Sequence, residues 1–279
     1  MWSKFRVLLG VGVTVGTGLG IVHMKREVAY AQAVPSYQSP TWVRPTDCPY
    51  TTWDENWDRR GALKKPPKSG GDGKDHVDPG KSSKACRHLI LIRHGQYNLM
   101  GKEDKERMLT PLGREQAKGV GERLKQLNMP YSALINSTMT RARETSNIIS
   151  EVLGNKVPRK EQRMLEEGSP AMPEPRSSNY QKSEHTVFRD GARIEAAFRE
   201  LFYRPEPSMK EDSYEIVVCH ANVIRYFVCR ALQFPPEAWL RFSLKHCSIT
   251  WFTIHGNGNI SVRSVGDSGF LPPTRLTTS

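Results

Sequence analysis

The sequence predicts an α/β fold: a three-layer sandwich in which a mostly parallel central sheet is flanked by helices. Three observations predict it. Strand and helix signals alternate from residue 86 onward. Two of the strand-like runs end in a histidine, as expected of a sheet whose functional groups gather at the carboxyl ends of its strands. The 192 residues from 88 to 279 are enough to bury roughly 70 % of their unfolded surface in one core without disulfide staples. In chain order, His88 to Arg93 (HLILIR) reads as a buried strand, and Thr110 to Leu127 as an amphipathic helix opened by Thr-Pro. Ala133 to Asn136 is a short strand and Arg141 to Leu153 a helix. Gly191 to Tyr203 is a further helix, Glu215 to Cys219 a strand, and Val223 to Leu232 the helix after it. Ser248 to His255 and Asn259 to Val265 form a hairpin around Gly256 to Gly258.

Charge has to be located before it is interpreted. The 279 residues carry 41 Lys and Arg against 29 Asp and Glu, a formal net charge of +12. Residues 1–26 contribute +4, residues 27–58 contribute −4 and residues 59–87 contribute +6, so only half of the excess belongs to the 192-residue domain. Nothing in that distribution calls for a nucleic-acid partner. A mean hydropathy of −0.57 excludes a polytopic membrane protein, and 37 % hydrophobic residues exclude a wholly disordered chain. The cysteines Cys48, Cys86, Cys219, Cys229 and Cys247 form no CxxC pair and no metal-ligand spacing, and read as reduced thiols.

Three segments precede the domain. Residues 1–26 contain sixteen uncharged residues from Val7 to Val22, flanked by Lys4 and Arg6 and by Lys25 and Arg26. As a helix this run is about 24 Å long, short of a hydrocarbon core of about 30 Å but extendable by the flanking basic side chains. The basic, acid-free start fits mitochondrial import, leaving two readings: a retained membrane anchor or a removed presequence. Residues 27–58 are rich in aromatics and end in WDENWD. Its side chains Trp53, Asp54, Asn56, Trp57 and Asp58 read either as a tail packing on its own domain or as a docking motif for another subunit. A helical turn would align Trp53 with Trp57 and Asp54 with Asp58. Residues 59–87, with five Gly and nine Lys or Arg, read as a basic flexible linker of about 30 Å coil span.

The two strand-end histidines are His94, in Arg93-His94-Gly95, and His220, in Cys219-His220-Ala221-Asn222. A lone strand-end histidine is usually a structural hydrogen-bonder; two at equivalent ends, one flanked by Arg and Gly, point to chemistry. An imidazole can attack phosphorus and form phosphohistidine if guanidinium groups neutralise the phosphoryl oxygens. Arg93 and Arg141 are placed to do this, Arg141 at a helix start where its fork and the helix N-terminus face one anion.

The motifs LIRHG (Leu91 to Gly95), LTPLGREQA (Leu109 to Ala117), STMTRA (Ser137 to Ala142), Glu167-Gly168 and His220-Ala221-Asn222 resemble the histidine phosphatase superfamily, the phosphoglycerate-mutase-like group. The tracts Asp190 to Glu200, Asp212 to Ile216 and Cys219 to Arg241, with WDENWD, are further similar to its mitochondrial serine/threonine protein phosphatases. The resemblance implies His94 as nucleophile, with Arg93, Arg141 and His220 lining the phosphate pocket and Glu167 as proton donor to the leaving group. Glu166 lies beside it, but Glu167 directly precedes the glycine. The resemblance further implies that no metal or organic cofactor is required, that WDENWD forms homo-oligomers which promote catalysis, and that the start anchors the chain to a mitochondrial membrane.

A mutase activity is not carried over. Gln96-Tyr97-Asn98 replaces the family's usual acidic residue after the RHG motif, and the polar tract Ser169 to Ser183 suggests an open rim. The expected substrates are phosphoserine and phosphothreonine in proteins, with phosphohistidine a further one. The alternatives are a small-molecule phosphatase or mutase of the same fold, and a scaffold with secondary phosphatase activity.

Overall fold

The computed structural model describes residues 53–60, 82–177 and 180–278. The chain divides into two units, residues 1–47 and 48–279, and all described residues belong to the second. The expected anchor and most of the expected linker lie outside them. No helix among the described residues is long and apolar enough to cross a membrane.

Six strands form one sheet in the order β3-β2-β4-β1-β5-β6. They are β1 (Arg87–Arg93), β2 (Tyr131–Ser137), β3 (Arg159–Gln162), β4 (Ser213–Cys219), β5 (Ile249–Ile254) and β6 (Ile260–Asp267). β3, β2, β4 and β1 are parallel; β5 and β6 close one edge as the antiparallel hairpin read from the sequence. The central strand β1 is buried along its whole length, so its apolar run has no polar face.

Alternation along that strand builds the three layers. Ile90 and Ile92, with Leu134, Ile216 and Val218, face α1 (Pro111–Leu127) and α2 (Thr140–Val152) through Val120, Leu124, Ala142 and Ile149. Leu89 and Leu91, with Val217 and Cys219, face α3 (Glu184–Leu201) and α4 (Ala221–Ala231) through Ile194, Phe198, Val223 and Phe227. Each fully buried aliphatic side chain contributes on the order of 2 kcal/mol, which is why a four-residue aliphatic run in mid-sheet is enough to fix the sandwich.

The helices start where local chemistry allows. Thr110 Oγ1 accepts from the Gly113 amide and Pro111 occupies the first turn of α1. Ser183 Oγ caps α3 through the Thr186 amide, so α3 begins seven residues before the predicted Gly191. The polar stretch Glu184 to Asp190 hid that start, since only Val187 and Asp190 of it are buried. Strand β3, of sequence RKEQ, has no apolar periodicity and was not predicted; it is an edge strand held by main-chain pairing to β2. The expected linker ends earlier than residue 88: Ser83 and Ala85 are buried, Ser83 Oγ donates to the Met209 carbonyl, and Arg87 opens β1.

WDENWD forms a turn, not the helical turn expected from its spacing. Asp54 Oδ1 accepts the Asn56 amide at 2.9 Å and the Arg59 amide donates to the Asn56 carbonyl at 2.9 Å, so side-chain and main-chain acceptors compete with the helical pattern. The turn lies on the chain's own domain. Trp57 Nε1 donates to the Gly258 carbonyl at 2.7 Å while its ring packs 6.2 Å from Phe198. Asp58, its side chain buried, pairs with Arg204 at 2.8 Å, and the Arg204 guanidinium holds its carboxyl below the usual range against the opposing effect of burial.

Candidate active site

Parallel pairing of β1 with β4 sets Arg93 opposite Cys219, so the next residues, His94 and His220, emerge side by side at the carboxyl edge of the sheet. The His94 amide donates to the Cys219 carbonyl at 3.0 Å, and the two imidazole centroids are 5.1 Å apart. Behind His94 the backbone needs a residue without a side chain: a Cβ on Gly95 would lie 2.5 Å from the Gly113 carbonyl oxygen. That close approach brings the first turn of α1 against the loop after β1.

Hydrogen bonds distinguish the two rings. His94 Nδ1 lies 2.8 Å from the Gly95 carbonyl, which can only accept, so Nδ1 carries the proton and the Nε2 lone pair is exposed to other partners. That lone pair accepts from Arg141 Nε at 3.2 Å. His220 Nε2 is instead engaged by Ser137 Oγ at 2.8 Å, while its Nδ1 is buried without a protein partner. Burial first, then the charges around them, hold both imidazoles well below the ordinary histidine range: for His94 these are His220, Arg141 and Arg93, and for His220 they are Arg141, Arg193 and Arg93. Both rings are therefore neutral at physiological pH.

Two buried guanidinium groups face this pair. Arg93 is desolvated enough to be lowered to about 10, still fully charged at neutral pH, and the nearby Glu167 offsets part of that loss. Arg141 follows the start of α2 and stacks 4.7 Å over the Tyr97 ring. The α2 N-terminus lacks a side-chain cap of its own; Asp104 supplies one from a distant loop, accepting from the Thr140 amide and hydroxyl at 2.8 Å each. Asp104 also lies 3.6 Å from Arg141 Nη1, so one carboxylate positions both the helix and its arginine.

The adjacent glutamates separate cleanly. Glu166 Oε1 accepts from Thr138 Oγ1 at 2.6 Å. Glu167, partly exposed by surface area, has its carboxyl raised above the usual range by desolvation, against the Gly168 amide and the charges of Arg141 and Arg93. Its loop is fastened to both helices of that layer. Arg193 of α3 donates to the Met164 and Glu166 carbonyls at 2.9 and 2.6 Å, and Asn222 at the start of α4 donates to the Gly168 carbonyl at 3.0 Å.

The structure thus brings His94, His220, Arg93, Arg141 and Glu167 together, while Trp53 to Asp58 pack elsewhere on the domain. Several neighbours were not found from the sequence. His246 sits with its ring 5.6 Å from His94, lowered to about 3 by burial and by Arg93. Arg225 is lowered by burial, and its charge is felt by Arg93 and by Glu167. The spacing His220-Ala221-Asn222-Val223-Ile224-Arg225 places that arginine at the start of the second turn of α4, one turn beyond Ala221, a signal available in the sequence. No sequence pattern marks His246. No cluster of three or more metal-ligating side chains occurs among the described residues.

Comparisons with known proteins identify the family. The profile of the histidine phosphatase superfamily (branch 1) matches residues 89–267. The mitochondrial serine/threonine-protein phosphatase PGAM5 of Xenopus laevis is 51 % identical over 231 residues, covering 81 % of this chain and 83 % of that protein. The human protein of the same name is 46 % identical over 248 residues, covering 87 % and 86 %. The structure of Bacillus stearothermophilus YhfR superposes with a TM-score of 0.52 at 21 % identity, covering 66 % of this chain and 98 % of that one, a likeness of fold. The chain belongs to branch 1 of the histidine phosphatase superfamily, and within it to the family that these PGAM5 phosphatases represent.

Proposed function

We propose that the chain is a mitochondrial protein phosphatase that hydrolyses phosphoserine and phosphothreonine through a phosphohistidine formed on His94. The observation that carries this reading is the tautomer of His94: Nδ1 is committed to the Gly95 carbonyl, and the Nε2 lone pair faces the Arg141 guanidinium where a phosphoryl group would be held. Nε2 attacks phosphorus and the bond from phosphorus to the serine or threonine oxygen breaks. Glu167 gives that oxygen its proton. Arg93, Arg141 and a neutral N–H of His220 bear the charge on the three equatorial oxygens. Water then attacks the phosphohistidine, Glu167 takes its proton, and the N–P bond breaks to release phosphate. Apart from the attacking water, each reacting or charge-bearing group in this scheme is a side chain of the protein.

Protein substrates are supported by the names of the relatives. The test is release of phosphate from a phosphothreonine peptide beside 2- and 3-phosphoglycerate. The expected kcat/KM for the peptide exceeds that for either small ester by at least about tenfold; the reverse order favours the small-molecule reading.

Residues 1–26 are proposed to anchor the chain to a mitochondrial membrane and WDENWD to join copies into an active homo-oligomer. The face that receives Trp57 and Asp58 offers the same contacts to a neighbour's motif, and a flexible segment of about 20 residues spans about 25 Å. The double variant Trp53→Ala, Trp57→Ala is expected to give smaller species by light scattering and roughly five- to twentyfold lower activity, within the range of lost aromatic anchors. Unchanged mass overturns the assembly role.

A further inference from the structure

The last described residues reach back into the site. Beyond β6 the chain makes a 3-10 turn at Pro273–Arg275 and then contacts Arg93 and His246 at the site and Gln116 of α1. Arg93 Nη1 donates to two backbone carbonyls, that of Leu244 at 2.7 Å and that of Thr278. The His246 amide donates to the Thr277 carbonyl at 2.9 Å, and Thr277 Oγ1 lies 2.8 Å from His246 Nδ1. Gln116, fully buried in α1, donates from Nε2 to the Arg275 carbonyl at 2.6 Å and to Thr277 Oγ1 at 2.9 Å. Its Oε1 accepts the Gln96 amide at 2.9 Å, two residues beyond His94. The strap is fixed further out by Arg275 with Glu115 at 3.1 Å and by burial of Leu271.

These contacts act on the orientation of Arg93. A guanidinium is a planar fork, and two carbonyls on one nitrogen fix its rotation. With Nη1 occupied, the Nε–Nη2 edge is left to address an anion, and Nε is buried without a protein acceptor. We propose that Thr277 and Thr278 are positioning residues: the carbonyl of Thr278 sets the plane of Arg93, and the Thr277 hydroxyl, shared between Gln116 and His246, holds the strap against it. That hydroxyl accepts from Gln116 and lies 2.8 Å from His246 Nδ1, so one side chain joins α1, the turn before β5 and the strap. Bidentate recognition of a phosphoryl group needs the fork in one plane, and a misplacement of about 1 Å costs on the order of a hundredfold in rate.

The inference rests on the reading of Arg93 as a phosphate ligand, and the experiment separates the two. The full chain, a chain ending at Leu276, Thr277→Val, Thr277→Ser and Arg93→Lys are assayed with p-nitrophenyl phosphate and for inhibition by orthovanadate, with thermal unfolding followed by circular dichroism. Loss of the strap is expected to lower kcat/KM by about 10- to 100-fold and to weaken vanadate by about tenfold. Thr277→Val is expected to lose about three- to tenfold, and Thr277→Ser to recover most of it. A shortened chain within twofold of the parent, or equal losses in the valine and serine variants, overturns the positioning role. If the shortened chain does not fold, the valine and serine pair decides. Arg93→Lys with parental activity sinks the reading of Arg93 itself; Arg93→Lys impaired beside an unimpaired shortened chain sinks only the strap.

Discussion

His94→Ala is expected to lower kcat for a phosphothreonine peptide by at least about a thousandfold, with KM within a few-fold of the parent chain. The asymmetry follows from what each residue does. Arg93 and Arg141 are held by other partners, the former by Leu244 and Thr278 and the latter by Asp104 and Tyr97, so the anion pocket survives the loss of the ring. What disappears is the one imidazole nitrogen whose lone pair faces the arginine. His220 does not replace it, because its Nε2 is engaged by Ser137. The measurement is phosphate release together with acid-labile phosphate on the protein after a brief quench: the parent chain carries label and the variant carries none. Turnover in His94→Ala within tenfold of the parent overturns the assignment of the nucleophile.

The same residues explain how much was legible beforehand. The buried run of β1, the caps of α1 and the strand-end histidines are local: apolar pattern, Thr-Pro and a single turn decide them, and the structure places them within a residue or two of the sequence reading. Arg141 was read from its place at a helix start and Glu167 from resemblance; their meeting with His94 depends on the parallel register of β1, β2 and β4, which no local signal encodes. What stayed hidden lies far apart in the chain. Asp104 caps a helix 36 residues away, Thr278 holds an arginine 185 residues away, and His246 follows a lysine in a turn without periodicity. Strand β3 escaped for another reason, since RKEQ carries no side-chain signal and exists through main-chain pairing at an edge. The turn formed by WDENWD shows the limit of spacing arguments: positions four apart suit a helix, yet an aspartate two residues before an amide offers a nearer acceptor.

Glu167→Gln tests the proton rather than the nucleophile, and its effect should depend on the leaving group. Serine and threonine alkoxides leave poorly unless protonated, so with a phosphopeptide the variant is expected to lose about 100- to 10,000-fold in kcat. p-Nitrophenolate leaves without help, and with that ester phosphorylation of His94 should proceed near the parental rate. The next step fails instead, because glutamine cannot take a proton from the attacking water, so nitrophenol appears in a burst of one equivalent per site followed by a slow phase. The pH profile carries the sign. Desolvation raises the Glu167 carboxyl, so its protonated form persists above the usual carboxylate range and the acid is lost as pH rises through that raised value. His94 is held well below the histidine range, so its lone pair remains available on the acid side. The parent chain should therefore show an alkaline limb in kcat set by Glu167, and the glutamine variant, having no proton to lose there, should not. Equal losses on both substrates, no burst, and an alkaline limb that survives the substitution would together place the proton donor elsewhere.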